Sequence, residues 1–194
     1  TATHTSVKNQ TMQNKSTTMP NSETLNMDTI TKSNESNYKI YCDMDGVLTD
    51  FEKQFTDSIS PWKPKQFIDK NGMDEFWKEI DNRGVGFWVG MEWMEDGKEL
   101  FEFLKNYKDV ELLSSPSLSE NSRLGKRLWV RNHKLGVKLN LEYSKNKQKH
   151  AAPTHILIDD RKDIIERWEA AGGIGIIHIN TKNTISCLKK LAIL

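Results

Sequence analysis

Three short apolar runs, each ending in a pair of oxygen-bearing side chains, constrain this chain more than any other feature. "YKIYCDMD" ends on Asp43 and Asp45, "VELLSS" on Ser114 and Ser115, and "HILIDD" on Asp159 and Asp160. Short apolar runs bounded by polar residues suit strands buried on both faces. Between and after them come segments whose apolar residues fall at helical spacing. These are "GKELFEFLKNY" (97–107), "NSRLGKRLWVRNHKLG" (121–136) and "RKDIIERWEAAGG", whose Gly172 and Gly173 suit a C-terminal cap. The last leads into a fourth apolar run, "IGIIHI" (174–179). Such alternation predicts an α/β fold: a Rossmann-like, mostly parallel sheet with helices on both faces. In sheets of this kind ligands bind beyond the carboxyl ends of the strands, where all three polar pairs fall.

Two carboxylates two residues apart at a strand end repel each other, so Asp43 and Asp45 call for a nearby cation. Together with Asp159 and Asp160 they form an oxygen-only set, which favours Mg²⁺ over Zn²⁺. "SKNKQKHA" adds Lys145, Lys147 and Lys149 just before the third run. A hard cation, a lysine and hydroxyls around one point suit an anion with several oxygens, phosphate above all. One carboxylate in such a crevice can act as nucleophile, and another can protonate the leaving alkoxide and then activate water. Gly46, just past the second aspartate, fits a need for close approach or unusual backbone angles.

The remaining sequence limits the alternatives. Lys and Arg number 28 against 27 Asp and Glu, a formal net charge of +1, which argues against nucleic acid as a partner. No apolar run is long enough to span a bilayer. Cys42 and Cys187 form neither a metal-ligand pair nor a disulfide framework, and each suits a small buried residue in a reducing, cytoplasmic setting. Residues 1–37 are rich in Thr, Ser and Asn and lack aromatics, so they read as a disordered polar tail ahead of one domain over 38–194. At about residues 55–94 the chain is too long and too aromatic for a simple connection. Its segment 61–94 carries Trp62, Phe67, Phe76, Trp77, Phe87, Trp88 and Trp93, and reads as a small helical cap over the strand ends. Most of these aromatics, Phe76 and Trp77 especially, are expected to form the cap's own core.

With these residues in view, "DMDGVLTD", "LLSSP", a lysine before the last strand and "LIDD" resemble the four motifs of the haloacid dehalogenase-like (HAD-like) phosphatases. The resemblance covers roughly residues 38–180. Within that superfamily "DMDGVLTDFE", "SSP", "KRLWVRNHKLG" and "LIDDR" are similar to the 5'(3')-deoxyribonucleotidases and to nucleotidase-like proteins of phages and bacteria. The resemblance implies Asp43 as nucleophile and Asp45 as general acid and base. It implies Mg²⁺ held by Asp43, the backbone carbonyl of Asp45 and one of the last aspartates, with Asp160 favoured and Asp159 supporting it. Ser114 would bind phosphate, with Ser115 adding a hydrogen bond. Lys147 fits a K-x-x-x-A pattern ending at Ala151, whereas Lys149 fits a shorter spacing to the aspartates; both stand as phosphate-binding candidates, with Lys147 preferred. Phe51, Phe87 and Trp88 match positions that line the base pocket. The implied partner is a small phosphate ester, above all a nucleotide, and a homodimer is compatible with the chain. Rival readings are a general small-molecule phosphatase, a polynucleotide 3'-phosphatase, and a phospholigand-binding protein without turnover.

Several residues have plainer readings. Asp50 suits an N-cap for the helix that follows. Arg161 suits a partner for the acidic cluster. His133, His150, His155 and His178 lack ligand spacing. In "KRLWVRNHK" the Leu and Trp are expected inward and the cations in water.

Overall fold

The computed structural model describes residues 37–107 and 109–191. The expected polar tail therefore lies, apart from Asn37, outside the described residues. The first strand, β1 (Lys39–Cys42), is followed by α1 (Phe51–Ser58), and the chain then enters α2 (Pro64–Asn71), α3 (Met73–Asn82) and the short α4 (Val85–Val89). It returns through α5 (Gly97–Leu104), β2 (Val110–Ser114), α6 (Glu120–Asn132) and β3 (Lys138–Leu141). A 3₁₀ helix (Ser144–His150) precedes β4 (His155–Asp159), α7 (Lys162–Ala170), β5 (Ile174–Ile177) and α8 (Thr181–Lys190). Among the described residues, no helix is long and apolar enough to cross a membrane.

All five strands pair in parallel, in the order β3-β2-β1-β4-β5. The period of two in side-chain direction divides the apolar residues between two cores. Ile40, Cys42, Leu112, Ile156 and Ile158 face one core, where they meet Leu100, Phe101 and Leu104 of α5, Trp129 of α6 and Leu188 of α8. Tyr41, Leu113 and Leu157 face the other, against Ile164, Ile165 and Trp168 of α7. Helices thus cover both faces, as the continuous apolar runs require.

Two elements escaped the sequence reading. β3 is four residues, "KLNL", at a sheet edge and only partly buried, so it lacks the apolar run of a central strand. α8 buries Thr181, Thr184 and Leu188, so two of its three inward positions are hydroxyls and its periodicity is muted. Both cysteines are free, Cys42 buried and Cys187 half-buried.

α2, α3 and α4 lie between β1 and β2, in the aromatic-rich segment. Its core holds Phe67 and Phe76, with Phe55 of α1 packed 5.4 Å and 5.0 Å from them between ring centroids. Trp77 departs from expectation. It remains 36% exposed, because α3 turns Phe76 and Ile80 inward and leaves the neighbouring position facing outward.

Trp168 fills the α7 side of the sheet, with its ring 5.6 Å from Tyr41 and its Nε1 donating to the His155 carbonyl at 3.3 Å. Replacing it with Ala is expected to cost roughly 3–5 kcal/mol of stability. Urea denaturation measures this, and a loss under about 1 kcal/mol would show that this face packs loosely.

Candidate active site

Because β1 lies between β2 and β4, the three polar strand ends are neighbours, at the point where the chain, having built one side of the sheet with β2 and β3, crosses to the other with β4 and β5. Past β1, Gly46 makes a tight turn at φ +80°, with its N–H donating to the Thr49 carbonyl at 2.9 Å. A Cβ on Gly46 would overlap the Asp160 carboxylate, so only glycine lets the two loops approach this closely. Asp50 caps α1 by accepting from the Lys53 amide at 2.9 Å, as its position suggested.

Lys147 occupies the centre. The 3₁₀ helix turns it inward until it is fully buried, with Nζ 2.7 Å from Asp159 Oδ2 and 3.0 Å from Asp43 Oδ1. Lys149, two residues on, is exposed. Of the two candidate lysines, Lys147 contacts the carboxylates and Lys149 faces solvent. Burial acts to lower the Lys147 pKa, but the charges of Asp43 and Asp159 outweigh it, so the ammonium titrates above its usual value. Asp159 also accepts from the Arg161 amide through Oδ1 at 2.9 Å, so both its oxygens are engaged.

Asp43, Asp159 and Asp160 each bring a carboxylate oxygen within 4.8 Å of the others. Adjacent ligands on an octahedral Mg²⁺ are about 3 Å apart and opposite ones about 4.2 Å, so the three carboxylates would draw together to enclose an ion. Asp43 Oδ1 is buried and pairs with the Lys147 ammonium at 3.0 Å without a well-aligned hydrogen bond, which leaves a lone pair for a further cation. Across the site, Asp43, Asp45, Asp159 and Asp160 face two buried ammoniums, Lys126 and Lys147, an excess of two negative charges that a divalent ion would match. One lysine cannot neutralise three carboxylates, so protons are retained instead. Burial first, and the Asp43 charge second, push Asp159 up to about 7; the same causes push Asp160 up to about 6, its carboxyl lying against Gly46 although the residue as a whole is exposed. Among the described residues no histidine joins this group.

Asp45 stands apart from the three. Its Oδ1 accepts from Thr49 Oγ1 at 3.0 Å, and its Oδ2 accepts from Lys126 Nζ at 2.6 Å. Lys126 was expected in water, and the structure corrects this. The buried stripe of α6 is Ser122, Gly125, Lys126, Trp129 and Val130, and the lysine is fully enclosed within it. The helical spacing to Trp129 was the available signal, outweighed by the basic character of the segment. Lys126 also donates to Ser114 Oγ at 2.8 Å, so Ser114 sits beneath the site while Ser115 lines it.

A cavity of about 670 Å³ opens above these groups. Asp43, Asp45, Ser115, Asp160 and Arg161 lie at its polar end, and Phe51, Phe76, Trp77 and Trp88 line its aromatic wall. Phe87 is not among the lining residues. It packs behind the wall, 5.4 Å from Phe51 and 5.2 Å from Trp88, and is 1% exposed. Ser144 also borders the cavity, donating to Ser115 Oγ at 3.0 Å and accepting from Arg161 at 3.3 Å. The Arg161 guanidinium otherwise pairs with Asp163.

Solved structures with a similar fold include HAD-type hydrolases. A haloacid dehalogenase-like family hydrolase from Xanthomonas campestris aligns over 82% of this chain and 94% of its own, with TM-score 0.55 and 11% identity. The HAD-hydrolase YfnB from Bacillus subtilis, bound to magnesium, aligns over 79% and 98%, at 0.51 and 13%. A subfamily IA HAD-superfamily hydrolase from Geobacter sulfurreducens aligns over 80% and 99%, at 0.50 and 15%. The fold is HAD-like. No protein-family model matches the chain, and no curated protein does.

The raised carboxyls give a stability signature. Asp159 and Asp160 bind protons more tightly folded than at their ordinary value of 3.8, so they favour the folded state at low pH. That contribution is lost as pH rises through about 6 and about 7. Mg²⁺ is therefore expected to raise the melting temperature clearly at pH 8 and little at pH 5, where protons compete. Gly46→Ala should abolish the shift. Equal shifts at both pH values, or none, would remove the carboxylates as the metal ligands.

Proposed function

We propose that this protein is a Mg²⁺-dependent phosphomonoesterase that hydrolyses (deoxy)nucleoside monophosphates through an aspartyl-phosphate. The observation that carries the reading is one cavity with a carboxylate and lysine centre at one end and an aromatic wall at the other. Its volume suits a small-molecule ligand of nucleotide size. Asp43, Asp160 and the backbone carbonyl of Asp45 would hold the ion, with Asp159 kept in place by Lys147 and the Arg161 amide. The ion would neutralise charge on the phosphoryl group.

Asp43 is the nucleophile in this reading. One of its oxygens attacks phosphorus, the ester P–O bond breaks, and Asp45 gives a proton to the leaving oxygen. Asp45 then takes a proton from water, whose oxygen attacks phosphorus and releases Asp43 as free carboxylate with inorganic phosphate. Lys147 stabilises the charge on Asp43 and on the transferring group. Ser115 offers a hydroxyl to the phosphate oxygens. At the far end Phe51 and Trp77 offer apolar surface to a base, with the buried Trp88 behind them.

Phosphate release from dUMP or dTMP with and without Mg²⁺ tests this directly. Activity should require the metal, and Asp43→Asn should reduce it by at least roughly 10³-fold. Trp77→Ala should raise KM for nucleotides several-fold and leave KM for a simple sugar phosphate unchanged. Equal rates on nucleotides and sugar phosphates would leave a general phosphatase. Mg²⁺-dependent ligand binding without turnover would identify a binding protein.

A further inference from the structure

The buried lysine of α6 has no part in the reaction just described. Enclosing an ammonium is costly unless partners replace its water, and Lys126 has two, Asp45 Oδ2 at 2.6 Å and Ser114 Oγ at 2.8 Å. The partners belong to different strand ends, so one cation ties the loop after β1 to the end of β2. Lys126 is fully enclosed and is not among the cavity-lining residues, whereas Asp45 is. The second oxygen of Asp45 is held by the buried hydroxyl of Thr49. Two donors from behind therefore fix the direction in which this carboxylate faces the cavity. The approach of α6 that brings Lys126 in depends on Gly125, where a Cβ would overlap the Trp88 side chain. The Lys126 ammonium consequently lies 5.2 Å from the Trp88 ring centroid.

We propose that Lys126 is a positioning residue that aims Asp45 at the leaving-group oxygen of the substrate, an assignment that rests on the phosphatase reading above. When the ester bond breaks, its electron pair goes to the leaving oxygen. An alkoxide must take the Asp45 proton as it forms, while a nitrophenolate departs without one. Misdirecting Asp45 therefore slows alkyl esters and spares activated aryl esters. A lysine that only stabilises the fold, or only orders Ser114, affects both esters alike.

The test compares kcat/KM for benzyl phosphate and p-nitrophenyl phosphate, which reports formation of the aspartyl-phosphate and excludes its hydrolysis. Lys126→Met is expected to lower the benzyl value roughly 10²-fold and the nitrophenyl value no more than about threefold. Thr49→Val, which removes the other donor to Asp45, should move the same ratio in the same direction by a smaller factor, and it decides the matter if Lys126→Met fails to fold. A ratio within about twofold of wild type in every folded variant overturns the assignment of Lys126 and leaves the phosphatase reading standing. Absence of phosphate release from both esters and from dUMP and dTMP by the wild-type protein overturns both.

Discussion

An ammonium buried between carboxylates is tolerable only if the carboxylates are held close, and the placement of Lys147 against Asp43 and Asp159 is the constraint on which this structure depends. Asp43 follows β1, Asp159 ends β4, and those strands are hydrogen-bonded neighbours. Their separation is therefore set by the sheet rather than by flexible side chains. The 3₁₀ helix supplies the lysine from the segment just before β4. Removing any one partner would leave an uncompensated buried charge, so fold and site cannot be separated energetically at this point.

Lys126 repeats the device on the other side of β1, with Asp45 in place of Asp43. The two ammoniums pair with Asp43, Asp159 and Asp45, and Asp160 completes an acidic cluster at the cavity floor without a lysine partner of its own among the described residues. The raised carboxyls of Asp159 and Asp160 express the excess of negative charge as retained protons. The insertion contributes the opposite character. α2–α4 place Trp77 and Trp88 over a charged floor, and Phe87 supports them from behind. One end of the cavity is thus charged and the other aromatic.

How much of this could be read beforehand differs from residue to residue. Asp43, Asp45, Ser114, Ser115, Asp159 and Asp160 were legible because each lies at or just past the end of an apolar run. Asp50 was legible because a cap has a purely local partner, the Lys53 amide. Lys147 and Lys149 could not be separated by spacing, since a 3₁₀ turn directs residues two apart to different sides. Lys126 was misread because basic residues on a helix are usually solvated, and its partners lie 12 and 81 positions away. Trp77 was misread because neighbouring aromatics on a helix face different directions, and composition does not distinguish them.

By itself the sequence determined the elements that carry chemistry: apolar strands buried on both faces, the oxygen pairs at their ends, and an aromatic insertion between the first two. Strand order is another matter. That β1 lies between β2 and β4, and so brings these oxygens together, follows from how the crossovers pack their helices on the sheet. The side chains that meet in the site come from positions up to 117 apart, Asp43 to Asp160. Local periodicity reports which face of an element is buried. It carries no information on which distant charge will be waiting there, and only the tertiary structure decided that.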